Sequence, residues 1–139
     1  MQRIVIDTNV MVSALIQRSY PYMIIYDLFI DGKIQLCISE ELFSEYYEVL
    51  SRKKFSKFQD FFSRAEGLLA DIESKSVKYF PTIKLDIISD DDDNMVLELA
   101  DECLADFVIT GNTTDFTLPT YKSTKIVTPR EYWENYQPK

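Results

Sequence analysis

The chemistry open to this chain is carried by oxygen. Its 139 residues include no histidine, and its two cysteines, Cys37 and Cys103, lie in apolar stretches without metal-ligand spacing. That excludes Ser-His-Asp triads, Cys-His nucleophiles and His-ligated zinc. The two thiols read as buried and reduced. Carboxylates remain, in four segments. Asp7 follows the apolar run Gln2 to Ile6, and Glu45 lies in an acid-rich helix. Asp90, Asp91, Asp92 and Asp93 are adjacent, and the loop Thr110 to Phe116 offers Asn112 and Asp115. Hard oxygen ligands with no His or Cys beside them select Mg2+ or Mn2+ over zinc or copper. The reaction suited to such a site is phosphoryl transfer, in which the metal polarises the phosphate, activates a water and stabilises the leaving oxygen.

Each of these residues also has a plainer use. An Asp between a strand and a helix can cap the helix, a role worth about 1 kcal/mol. Glu45 shares its helix with Glu40, Glu41 and Glu48, but it stands between Leu42 and Val49 at helical spacing. It therefore borders the apolar stripe, where it can serve a cleft or the surface, whereas Glu41 and Glu48 lie further toward solvent. Four adjacent aspartates repel one another, and a helix N-terminus relieves only one or two. Asp93, just before Asn94 and a run of apolar positions, sits where cleft meets core. Asn112 and Asp115, taken alone, are polar residues in a loop after a strand.

The elements that must position these groups follow from apolar periodicity. Gln2 to Ile6 is nearly continuous in Ile and Val, as in a central strand of a parallel sheet buried on both faces. Helical patterns cover Thr8 to Ile16 and Tyr20 to Ile30, the second closed by Asp31-Gly32. Ile34 to Ile38 is the next strand, and Ser39 caps a helix with Leu42, Tyr46, Val49 and Leu50 inward. Lys53 to Ser74 reads as one or two amphipathic helices. Ser76 to Phe80 alternates like an edge strand and ends at Pro81. A helix from about Asn94 to Leu104, a buried strand Phe107 to Thr110, a short strand Ile126-Val127 and a helix opened by Pro129 complete the chain. The expectation is one α/β domain over residues 1–139, a three-layer α/β/α sandwich around a mainly parallel sheet of about four to five strands. Ligands of such sheets bind beyond the carboxyl ends of the strands. There Asp7, the Ser39 to Glu45 segment and the Gly111 to Asp115 loop converge.

Charge sets a condition on the partner. Twenty-three acidic residues against fifteen basic ones give −8, and an acidic surface repels nucleic acid. A metal pocket accounts for part of the excess, since two bound divalent ions would return about four charges. The densest basic groups are Arg52, Lys53, Lys54, Lys57 and Arg64, then Lys122, Lys125 and Arg130, and each can equally be a solvated helix face. No stretch reads as a targeting or membrane-spanning segment, so a cytoplasmic location is expected.

In this order the motifs resemble those of the PIN-domain ribonucleases, in the branch of toxin components of type II toxin–antitoxin systems. The matching pieces are IVIDTNVMVSAL from Ile4 to Leu15, ISEELFSEYYEVL from Ile38 to Leu50, DDDDNMVLELA from Asp90 to Ala100, ADFVITGN from Ala105 to Asn112 and KIVTPREYWE from Lys125 to Glu134. The resemblance implies a metal-dependent endoribonuclease with a PIN-like fold, an RNA substrate and a cognate antitoxin. By position, Asp7 would be the first metal ligand, Glu45 the second acid and Asp93 the third. The chain departs at the fourth position, where Asn112 replaces the Asp of many relatives and Asp115 follows. Asn9 and Thr110 resemble residues that orient the ligands. The aromatics Tyr22, Tyr26, Phe58, Phe61 and Phe62 would suit a helical partner or a homodimer face, or simply the core.

Two other functions compete with this one. An aspartyl-phosphate phosphatase also places Asp after its first strand, but it wants a second Asp where Asn9 stands. A degenerate PIN-like domain would bind RNA or protein without cleavage. Asn112 favours that reading, and the presence of Asp7, Glu45 and Asp93 together opposes it.

Overall fold

The structure is a computed structural model that describes residues 1–88, 90–111 and 118–139. Its centre is β1 (Arg3–Ile6), whose Ile4, Val5 and Ile6 are fully buried. An unbroken apolar run is what a strand covered on both faces requires. β2 (Gln35–Ile38) and β4 (Phe107–Ile109) flank it in parallel, with Ile4 level with both Leu36 and Phe107. β3 (Val77–Lys78) adds to β2 in parallel, β6 (Thr124–Val127) to β4 in parallel, and β5 (Thr120–Tyr121) turns back antiparallel on β6. The order is β3-β2-β1-β4-β6-β5, a mainly parallel sheet flanked by helices. Six strands stand where four to five were expected. The addition is β5, an edge pairing of two residues too short to leave a period in the sequence, while the edge strand expected over Ser76 to Phe80 is present as the two residues of β3. Among the described residues no helix is long and apolar enough to cross a membrane.

This order has a switch point. From β1 the chain steps to β2 and β3 on one side, then returns to β4 and β6 on the other, so β1 and β4 are neighbours whose connections leave in opposite directions. Such a point opens a crevice at the carboxyl ends of the two strands. Asp7 follows β1 there, and Thr110-Gly111 follows β4.

The helices start and stop for local reasons. α1 (Thr8–Ile16) is capped by Asp7. α2 (Tyr20–Met23) has Pro21 in its first turn and widens into a π-helical segment, Ile24–Phe29, so the continuous helix expected over Tyr20 to Ile30 has two geometries. Gly32, at φ +76°, ends it as expected, with its N–H on the Phe29 carbonyl and that of Lys33 on Leu28. That left-handed turn is one glycine enters without a Cβ penalty.

α3 (Glu40–Leu50) is capped by Ser39, whose Oγ accepts the Leu42 N–H at 3.1 Å. The open break in Lys53 to Ser74 falls between a 3-10 turn, Lys53–Lys57, and α4 (Phe61–Lys75), with Asp60 left-handed at the junction. α5 (Asp91–Cys103) lies against β1, β2 and β4. α6 (Pro129–Asn135) opens on a Thr128–Glu131 capping box. Cys37 and Cys103 are free and buried, as expected.

Candidate active site

Asp7 is held from three directions. Its backbone N–H continues the sheet onto the Ile109 carbonyl at 2.9 Å. Oδ1 accepts the Thr8 N–H at 2.8 Å, which is the cap of α1. Oδ2 accepts the Thr110 hydroxyl at 2.8 Å and the Asn9 amide at 3.3 Å. One oxygen of the carboxylate therefore caps α1, the plainer use weighed from the sequence, while the other is held by Thr110 and Asn9. Asn9 also reaches the end of β4, where its Oδ1 accepts the Gly111 N–H at 3.1 Å. A Cβ on Gly111 would stand 3.4 Å from that oxygen, in ordinary contact with it.

Glu45 comes to the same place from α3. It is half-buried beside the apolar stripe, while Glu41 and Glu48 are exposed, as its spacing predicts. Its Oε2 accepts the Thr8 hydroxyl. Thr8 thus donates its N–H to Asp7 and its hydroxyl to Glu45, joining acids from two elements through one buried residue. The next residue, Tyr46, is fully buried and donates its hydroxyl to the Ile6 carbonyl, pinning α3 to the end of β1.

The acidic run is arranged differently from the sequence expectation. α5 begins at Asp91, not at Asn94, because Asp90 caps it by accepting the Asp92 N–H at 2.9 Å. Three aspartates consequently occupy the first turn, where the positive end of the helix dipole favours carboxylates. Asp93 is buried at 6% exposure, whereas Asp92 is exposed. Asp92 stands close to Glu45, and its charge acts on both Glu45 and Asp7. Asn94 fixes the approach to the run. Its Oδ1 accepts the Ile87 and Ile88 N–H groups at 3.1 and 2.9 Å, and its Nδ2 donates to the Ile88 carbonyl at 2.6 Å. One turn on, Glu98 accepts the Leu85 N–H at 2.8 Å.

Crowding of like charges at a buried edge shows in the acids. Burial pushes Asp7 above the usual carboxylate range, against the Thr110 and Thr8 hydrogen bonds that lower it, and the charges of Asp90 and Asp92 push it further up. Glu45 is raised chiefly by burial; the Thr8 bond lowers it, and Asp92 and Asp7 raise it. Among the described residues no three acids already stand at mutual metal-ligating spacing. The donor set nevertheless fits a hard divalent cation: carboxylate oxygens, held by hydroxyls and amides, whose repulsion a cation would relieve.

The structure therefore brings Asp7, Asn9, Glu45 and Thr110 together, with Asp92 close by on the first turn of α5, where Asp93 is the buried acid. Asn112 and Asp115 lie outside the described residues. Sequence reasoning missed Thr8 and Asp92. Thr8 left a usable signal, a hydroxyl directly after a strand-end Asp. Nothing in four identical neighbours distinguishes Asp92.

The fold is thus a mainly parallel α/β sheet with Asp7 and Glu45 joined at the ends of its central strands. The family model of the PIN domain matches residues 3–114, so the chain belongs to the PIN-domain family. No curated protein matches it. Among solved structures it is similar to a chain in the crystal structure of VapBC2 from Rickettsia felis bound to a DNA fragment from their promoter. That likeness has a TM-score of 0.58 at 17% identity and covers 91% of this chain and 98% of that one, a likeness of fold.

Proposed function

We propose that residues 1–139 form a single metal-dependent endoribonuclease domain, the toxin of a cytoplasmic toxin–antitoxin pair. The observation that carries this is the Asp7–Thr8–Glu45 link, which holds two raised carboxylates at the β1–β4 switch point, with Asp92 against the second. Membership of the PIN-domain family supports nuclease activity, and a fold shared with a VapBC2 chain supports an antitoxin partner.

Asp7, Glu45 and Asp93 would hold Mg2+ or Mn2+, with Asp92 beside them and Asn112 or Asp115 completing the set. When bound, the cation supplies a Lewis acid for the phosphate and lowers the pKa of a water. The chain's own residues fix the geometry. Thr110 and Asn9 hold the outer oxygen of Asp7, Thr8 ties Glu45 to it, and Tyr46 and Asn94 anchor α3 and the acidic run. Groups that orient ligands in this way commonly matter about 10–100-fold to affinity or activity.

The test is incubation of end-labelled mixed RNA with the purified protein in Mg2+, in Mn2+ and in EDTA, beside Asp7→Asn and Asp93→Asn. Cutting that needs metal and disappears in both variants is expected. No cutting with either metal, from a protein free of co-purified partner, would replace the nuclease with a PIN-like module that binds without cleaving.

A further inference from the structure

The two thiols take no part in the candidate site, yet the fold brings them together from distant parts of the chain. Cys37 lies on β2 and Cys103 is the last residue of α5, which packs against β2. Both are free and buried. Neighbouring contacts fix the placement. Arg3 stands level with Gln35 in the sheet, and its guanidinium donates to the Cys103 carbonyl at 3.2 Å. Gln35, two residues before Cys37 and so on the same face of β2, has its amide nitrogen 3.8 Å from the Cys37 sulfur. The end of α5 thus covers the face of β2 that carries Cys37, and the two thiols stand close to one another.

This closeness makes the pair unequal. The Cys103 thiol holds Cys37 below the usual thiol range, against burial, which pushes it up. Cys103 is raised well above that range by the Cys37 thiol and by burial. Thiolate is the reactive form, so Cys37 is the nucleophile of the two and Cys103 the protonated neighbour. Burial does not seal them in. β3, the edge strand beside β2, is two residues long, and its Val77, level with Cys37, is exposed. Cys103 is followed by Leu104, which is left-handed and 72% exposed. Short edge strands and helix ends are the parts of a fold that open most readily. Such local opening admits a molecule as small as hydrogen peroxide.

We propose that Cys37 and Cys103 are an oxidation site, a dithiol that hydrogen peroxide converts to an intramolecular disulfide joining β2 to the end of α5. The Cys37 thiolate attacks one peroxide oxygen, the O–O bond breaks, hydroxide leaves and Cys37 becomes a sulfenic acid. The Cys103 sulfur then attacks the Cys37 sulfur. The S–S bond forms, and the sulfenic oxygen leaves as water with the Cys103 proton. Two thiols give up two electrons, and the peroxide ends as two waters. The bond ties the strand that leads into Ser39 and α3 to the helix that opens on the aspartate run. This chemistry does not depend on the nuclease reading.

The experiment treats the whole reduced chain with a few equivalents of hydrogen peroxide, once folded and once in urea, then blocks remaining thiols with N-ethylmaleimide and measures the intact mass. The folded chain is expected to lose about 2 Da, to take up no maleimide and to yield a linked Cys37–Cys103 peptide, with both thiols restored by dithiothreitol. Cys103→Ser should stop at a sulfenic acid on Cys37, trapped by dimedone, whereas Cys37→Ser should leave Cys103 as a thiol. Two maleimides on the peroxide-treated folded chain overturn the proposal. A bond that forms only in urea does the same, since unfolding and not the native pairing would then bring the sulfurs together. So does a bond between two chains, seen as a dimer on a non-reducing gel, or Cys37 oxidised beyond sulfenic acid with no link. Sulfenic acid on Cys103 in place of Cys37 overturns the order of the two steps. The wild-type masses decide the pairing even where a serine variant fails to fold.

Discussion

The acidic edge and the exposed cations around α4 handle charge in opposite ways. At the edge, like charges are pressed together at a buried strand end, each carboxylate fixed by neutral donors: Thr8, Asn9 and Thr110. Around α4, Arg18, Lys54 and Lys57 are exposed, form no ion pair among the described residues and lie over aromatic rings. The first arrangement costs stability and makes sense if a cation completes it. The second costs little, because exposed cations keep their water.

The sharpest way to break this comparison is at Asp7. Asp7→Asn should reduce RNA cleavage to background while raising the melting temperature of the metal-free protein. The reason is one of sign. Burial holds the Asp7 carboxyl above its unfolded value, so its ionised form destabilises the fold at neutral pH, and a neutral amide removes that cost. Asn still caps α1, and the gain expected is about 0.5–2 kcal/mol. Added Mg2+ should raise the melting temperature of the wild type and not of the variant. A variant less stable than wild type in EDTA would contradict the crowding argument.

Thr8→Val is next. It removes the hydroxyl between Asp7 and Glu45 and is expected to lower cleavage about 10–100-fold, with the variant still folded by circular dichroism. Unchanged cleavage would mean that the link is incidental. Asn94→Leu acts on the scaffold. It leaves two backbone N–H groups and one carbonyl without partners, for a loss of about 1–3 kcal/mol by denaturant unfolding. Tyr46→Phe should cost about 1 kcal/mol by the same measurement, since the buried Ile6 carbonyl loses its donor. Arg130→Gln completes the series as the smallest effect, within about 0.5 kcal/mol, because an exposed i,i+4 pair contributes little.

Most of the frame could be read without coordinates. The apolar run ending at Asp7, the Ser39 cap, the Asp31-Gly32 stop and Pro129 at the start of α6 all stand as expected. Each is a signal carried by a few neighbouring residues, so local geometry suffices. The α5 boundary was misplaced because an aspartate run reads as loop until one member is seen to cap. The aromatics divided as well: Phe61 is core, Phe62 is exposed and Tyr22 is half-buried.

The residue order alone determined the strand ends, the carboxylate-rich side-chain set left by an absence of histidine, and the placing of Glu45 beside an apolar stripe, since periodicity and composition are properties of the chain itself. Only the tertiary structure decided that Thr8 bridges Asp7 and Glu45, that Asp92 stands close to Glu45, and that Arg18 lines one cavity with Arg64 while Arg52 pairs with Glu48. Those choices depend on how helices settle on the sheet, where a rotation of one residue about a helix axis, about 100°, changes which side chain meets its neighbour.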